Sequence, residues 1–235
     1  MQPFLDPPVS PKALAAPPVH GPVVVLAPHP DDEWIGPGGT LLLHRAQGDR
    51  VHVVVVTDGA SDGGAMTPAA RAALAARRAG ESRVFALSIG ASLELLGHPD
   101  GARAREEDLG VLVPQLVAIL KREKPAVVYA PHRDEAHGDH HVVALAAARA
   151  VASCGVACEL WGYEIWGTLT PDVVVDISAV MQRKLALASC FSSQLEHTAI
   201  THCFGGLNAY RSAVLPKGAR YGEAFRRMTP DERAR

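Results

Sequence analysis

Short β-branched runs alternate along the chain with longer Ala- and Leu-rich stretches at helical spacing. Val23–Ala27 and Val51–Val56 carry almost no polar alternation, and near-continuous Val of that length fits strands of a sheet covered on both faces. Leu93–Leu96, Ala126–Ala130, Glu159–Ile165 and Val173–Ile177 are expected as further strands. Between them, Pro37–Gln47, Pro68–Ser88, Glu106–Arg122 and Asp139–Ser153 read as helices, the leading prolines being suited to a first helical turn. One more helix is expected over Ala179–Phe191. Strand and helix in alternation imply right-handed crossovers, hence an α/β fold: a Rossmann-like three-layer sandwich with a mostly parallel sheet.

Residues 1–21 break this pattern. Pro3, Pro7, Pro8, Pro11, Pro17 and Pro18 fall there with little apolar periodicity, which suits a flexible Pro-rich N-terminal arm outside the fold. Residues 22–235 are expected to form a single domain, since 235 residues suffice for one sizeable core and are short for two.

The formal charge of -2 argues against a nucleic-acid binder working by phosphate neutralisation. No run approaches the ~18 apolar residues of a membrane span, and no basic n-region precedes an apolar h-region, so the expectation is a cytoplasmic protein with no membrane partner. The four cysteines include no C-x-x-C pair, which disfavours a thiolate zinc site or a disulfide framework.

The unusual count is 11 His, with His132, His137, His140 and His141 crowded into one stretch. That stretch, Pro131–His141, follows the expected strand Ala126–Ala130 and leads into a helix. His29-Pro30-Asp31-Asp32-Glu33 follows the first strand in the same way, and Gly36-Pro37-Gly38-Gly39 comes next. In an open parallel sheet both segments fall at the carboxyl edge, where ligands bind. One imidazole and three carboxylates within five residues repel and desolvate poorly unless a cation or proton is shared among them. The two clusters together can supply the three N/O ligands and the open position of a catalytic zinc. The glycine-rich segment lacks the spacing of a phosphate loop and reads as close backbone packing.

Ala27-Pro28-His29-Pro30-Asp31-Asp32-Glu33 with its downstream Gly-Gly, paired with His137-Gly138-Asp139-His140, resembles the LmbE / PIG-L family of zinc-dependent N-deacetylases. Arg78-Ala79-Gly80-Glu81 is similar to the family's R-x-x-E helix, and Leu96-Gly97-His98-Pro99-Asp100-Gly101 to its L-G-x-P-D-G turn. Lys184, Ser193-Gln194 and Tyr221–Phe225 resemble its later segments. The resemblance implies that His29, Asp32 and His140 bind Zn2+ and that Asp31 is the general base. It gives His137 the oxyanion or the leaving amine, Asp139 the orientation of a nearby histidine, and Arg78 and Asp100 the sugar hydroxyls. His132 and His141 are additional imidazoles that could enter the ligand set.

The chemistry is consistent with those roles. Zinc lowers the pKa of a bound water from about 15.7 to about 7, and adjacent side chains diverge, so Asp31 and Asp32 divide into base and ligand. The expected activity is removal of an N-acyl group, an N-acetyl group above all, from a small amino-sugar-containing molecule or its conjugate. Another small amide, such as a thiol conjugate or an antibiotic intermediate, would suit the same site; a Rossmann-like binding module without metal is the competing class. Pocket walls are expected from Thr57–Thr67 and Trp161–Pro171, where Trp161, Tyr163 and Trp166 are either packing groups or a sugar-stacking platform.

Overall fold

Alternate side chains of the Val-rich runs enter two separate cores, which explains why those runs carry so few polar positions. The computed structural model describes residues 10–61, 66–101, 106–196 and 199–229, without the side chains of residues 106–108. In chain order the elements are β1 (Lys12–Leu14), β2 (Val23–Ala27), α1 (Asp32–Ile35), α2 (Gly38–Ala46), β3 (Val51–Thr57), α3 (Pro68–Ile89), β4 (Ser92–His98) and α4 (Glu106–Glu123). There follow β5 (Val127–Pro131), α5 (Gly138–Ser153), β6 (Glu159–Tyr163), β7 (Val173–Asp176), α6 (Met181–Leu187), α7 (Ser192–Leu195), α8 (Ile200–Arg211) and β8 (Gly222–Arg227).

From β2, Val23, Val25 and Ala27 join Leu41, Phe85, Phe191 and Phe204 on one face of the sheet. Val24 and Leu26 meet Leu112, Leu116, Val143 and Ala147 of α4 and α5 on the other. The result is the expected three-layer α/β sandwich.

The sheet order is β1-β7-β8-β6-β5-β2-β3-β4. All pairings are parallel except those of β8, which runs antiparallel between β6 and β7. The chain leaves β2 towards β3 and β4, then returns to its other side as β5. This reversal makes the β2/β5 border a topological switch point, open at the carboxyl ends of both strands.

The expected strands and helices correspond to observed elements within a few residues at their ends. Part of the excluded arm is corrected: Lys12–Leu14 pairs in parallel with Val173–Val175 as an edge strand, and Lys12 donates its N–H to the Asp172 carbonyl at 2.8 Å. Three residues are too few to show a periodicity, so the pairing partner makes this strand. Residues 1–9 and the wall segment 62–65 lie outside the described residues. Among the described residues no helix is long and apolar enough to cross a membrane.

A buried ion pair ties the later elements to the loop after β2. Lys184 of α6, 2% exposed, donates to Glu223 of β8 at 2.7 Å, Asn208 of α8 at 3.0 Å and the Ile35 carbonyl at 2.9 Å. The Glu223 carboxylate also accepts the N–H groups of Gly39 and Thr40, both at 2.7 Å, so it caps the otherwise unpaired start of α2. Gly39 makes this possible, because a Cβ there would stand 2.9 Å from that carboxylate and from Ile177; one on Gly36 would fall 2.3 Å from the Tyr163 ring. The glycine-rich segment is close packing, as its sequence suggested.

Removing one member of such a pair strands the other charge. Lys184→Met is expected to lower the free energy of unfolding by about 3–5 kcal/mol in a denaturant titration, with the Lys184→Met/Glu223→Gln double variant losing less than the sum of the single changes.

Candidate functional site

The loop between β2 and α1 is strained where the chemistry would be. Asp31 holds a φ of 128°, a left-handed backbone that suits glycine and costs about 1–3 kcal/mol elsewhere. Several contacts hold it there. The buried Glu33 carboxylate accepts the Asp31 N–H at 2.9 Å and the Ser82 hydroxyl at 2.7 Å. Arg78, from α3, donates to the Pro30 and Gly59 carbonyls, each at 2.7 Å, and stands 3.4 Å from the Asp31 carboxylate.

Burial pushes Glu33 up to about 7. Burial, with Asp32 beside it, also raises Asp31 well above the ordinary carboxylate range, against the pull of Arg78. A carboxyl held in that way takes a proton readily.

Three atoms from the two clusters converge beside Asp31. His29 Nδ1 lies 3.2 Å from Asp32 Oδ2, His140 Nε2 lies 3.3 Å from the same oxygen, and the two nitrogens are 3.3 Å apart. Tetrahedral zinc, with bonds of about 2.0–2.1 Å to N and O, spaces its ligands about 3.3–3.4 Å apart. The near-equilateral triangle fits that ion.

Each imidazole also has a carboxylate behind it. His29 Nε2 faces Asp139 Oδ2 at 3.1 Å and Asp100 Oδ1 at 3.2 Å, while His140 Nδ1 faces Glu135 Oε2 at 3.4 Å. The Asp139 hydrogen bond on the far nitrogen of His29 fixes the tautomer that points a lone pair at a metal, and Glu135 stands behind His140 at the longer ionic distance. Burial opposes charge on both rings, yet the surrounding carboxylates raise His29 well above its usual range and His140 to about 9. The same imidazoles hold Asp32 far below the usual carboxylate range against its burial. Such a cluster is built to contain positive charge.

His137 is the N-cap of α5. Its Nδ1 accepts the Asp139 N–H at 3.3 Å, which leaves the proton of the neutral ring on Nε2. Burial and the neighbouring imidazoles lower its pKa. The ring stands edge-on to His29 with centroids 4.8 Å apart, and it lines a cavity of about 350 Å³ together with Asp31, Arg78, Asp100 and Trp166. His29, His137 and His140 form one metal-competent group and His29, Asp100 and Asp139 another, but the triangle with Asp32 has a carboxylate supporting each histidine from outside.

All eight proposed site residues therefore gather at the switch point. Asp139 lies behind His29. Arg78 and Asp100, expected on sugar hydroxyls, line the cavity but already have partners within the protein, Asp100 also accepting the Ser61 N–H at 3.0 Å. His141 turns its Nδ1 to the Arg133 carbonyl at 2.8 Å, and His132 Nδ1 accepts the Asp134 N–H at 3.3 Å.

Glu135 had no assigned role in the sequence. It is buried and accepts the N–H groups of Ile165, Trp166 and Gly167 at 2.6, 3.1 and 3.2 Å while backing His140. The only sequence signal was an acid in the loop shortly before the His140 helix.

The PIG-L family model, described as GlcNAc-PI de-N-acetylase, matches residues 24–151. The fold is similar to the N,N'-diacetylchitobiose deacetylase of Pyrococcus horikoshii, solved with its inhibitor MPG, at 26% identity over 89% of this chain and 84% of that one, with a TM-score of 0.74. The conserved protein TT1542 of Thermus thermophilus matches at 26% identity over 88% of this chain and 94% of that one, with a TM-score of 0.72. The 4-carboxy-2-hydroxymuconate hydratase GalB of Pseudomonas putida shares the fold at 20% identity, over 92% and 99% of the two chains, with a TM-score of 0.74.

The support behind His140 is measurable without turnover. Glu135→Gln is expected to weaken Zn2+ binding on the order of tenfold in a chelator-competition titration, whereas Glu94→Gln, at the Arg122 surface pair, leaves it unchanged.

Proposed function

The chain belongs to the PIG-L family, and from that premise we propose that it is a zinc-dependent N-deacetylase acting on a small acetamido sugar or its conjugate. The observation that carries this reading is the 3.2–3.3 Å triangle of His29, Asp32 and His140, with carboxylates behind both histidines and the unliganded Asp31 beside it. A bound zinc ion supplies Lewis acidity, making a water more acidic and polarising an amide carbonyl.

The chain's own residues do the rest. Asp31 accepts a proton from the water that attacks the acetamido carbonyl carbon. His137, with Nε2 as its donor, hydrogen-bonds the oxygen that gains negative charge as the carbonyl becomes tetrahedral. Breakage of the C–N bond needs a proton on nitrogen, and Asp31, protonated in the first step, delivers it. The products are acetate and the free amino sugar. Arg78 acts by holding the Asp31 loop at its strained φ, and Asp100 keeps carboxylate lone pairs for a sugar hydroxyl. Strands β2 to β8 with their helices make up the catalytic unit. Hydration and hydrolysis both occur on related folds, so the residues at the site, and not the fold, support the amide reaction.

The test is acetate and free-amine release from N-acetylated amino sugars by protein whose metal has been assayed. About one zinc per chain is expected, with activity lost on chelation and restored by Zn2+. Asp31→Asn is expected to keep the metal and lower kcat by about 10²–10⁴-fold, and Asp32→Ala to lose the metal. Full activity in chelated protein, or in Asp31→Asn, would overturn the reading.

A further inference from the structure

The three tryptophans occupy different environments. Trp34 and Trp161 are buried, their indole N–H groups donating to the Lys184 carbonyl at 2.7 Å and to Glu159 at 2.9 Å. Trp166 is 54% exposed, and among the described lining residues of the cavity it is the one aromatic side chain besides imidazoles. Of the exposed large apolar side chains among the described residues it is the one that lines this cavity, so its indole faces whatever the cavity holds.

The ring is held in place. The Trp166 N–H and those of both its neighbours end on the Glu135 carboxylate, and the indole packs edge-on against Phe204 with centroids 5.5 Å apart. Gly167 permits the close approach, since a Cβ there would stand 3.2 Å from the Asp134 carbonyl oxygen. A rigid aromatic of this kind binds at little entropic cost.

At about 350 Å³ the cavity is near the small end of ligand pockets. It takes one acetamido-pyranose over its His and Asp floor, so a group attached to that ring lies at the mouth. We infer that Trp166 is the platform of a second subsite, which receives the next pyranose ring of a neutral disaccharide. A pyranose offers a C–H face to the indole and keeps its hydroxyls at the rim, where Gln194, lining the same cavity, has an amide to meet them. This inference rests on the acetamido-sugar reading of the site and narrows it to glycosides longer than one ring.

Equilibrium binding of N-acetylglucosamine and N,N'-diacetylchitobiose to the zinc-loaded protein in an Asp31→Asn background, where turnover is slowed, tests it, alongside acetate release from both by protein with Asp31 intact. The readout is the ratio of the two dissociation constants, measured by titration calorimetry so that variants without the Trp166 indole report on the same scale. Wild type is expected to bind the disaccharide on the order of tenfold more tightly. Trp166→Ala is expected to abolish that preference and Trp166→Phe to retain most of it. Fluorescence of wild type should shift on disaccharide binding, because Trp34 and Trp161 are buried. A preference absent from wild type, or undiminished in Trp166→Ala, overturns the subsite. The two readings fail separately: a Trp166-dependent preference without acetate release would sink the deacetylase and keep the subsite, and acetate release without the preference would do the reverse.

Discussion

Carboxylates and imidazoles packed out of water at the ends of β2 and β5 need positive charge, and much of the site follows from that need. Asp31, Asp32, Glu33, Asp139 and Glu135 are all buried, and buried anions without compensation would cost several kcal/mol each. Part of the compensation is internal: Arg78 reaches Asp31, and backbone N–H groups end on Glu33, Asp139 and Glu135. The remaining demand falls on one point, where His29, Asp32 and His140 meet. A divalent ion there would satisfy it without occupying Asp31, so that under the proposed function ligand and base are separate roles of adjacent residues.

That separation has a backbone cause. A helix starting at Asp32 would carry an ordinary Asp31 side chain along with it, whereas a φ of 128° turns residue 31 out of the helical path. The strain is sustained from several directions: Glu33 holds the N–H, Arg78 the preceding carbonyl, and the Trp34 and Ile35 N–H groups both end on the Asp31 carbonyl at 2.9 Å. Beneath this loop the Lys184–Glu223 pair secures Ile35 and the start of α2. Residues far along the chain therefore work on the same loop as His29 without touching substrate.

The sequence made most of the parallel sheet legible because Val-rich strands buried on both faces leave a strong local signal. The two His- and Asp-rich segments could be placed at one edge for the same reason: each follows such a strand. β8 was not legible as an antiparallel insertion, since Gly222–Arg227 is short and its neighbours are set by pairing with β6 and β7. α8 was missed because its apolar spacing is interrupted by Gly205, Gly206 and Asn208, the last of which donates to the Gly222 carbonyl of β8. The motif expects Arg78 at the substrate cavity, which it lines, while its bonds to the Pro30 and Gly59 carbonyls are set by tertiary folding, which no local pattern encodes. Trp161, Tyr163 and Trp166 looked alike as aromatic residues. Only the end of β6 at Tyr163 separates the two that pack in the core from the one that projects beyond it.

Glu135 connects the reaction to its selectivity. One carboxylate both stands behind His140 and gathers the N–H groups of residues 165 to 167, so a single buried group links the loop that carries Trp166 to the His29–Asp32–His140 triangle. The sheet and its switch point are general properties of α/β proteins and fix only where chemistry can occur. The loop after β6 is free to vary in what it presents to substrate, provided that three N–H groups still reach the acid behind His140. A fold arranged in this way can change its substrate by altering the residue at position 166 while the geometry that holds the ion, and hence the amide chemistry, stays the same.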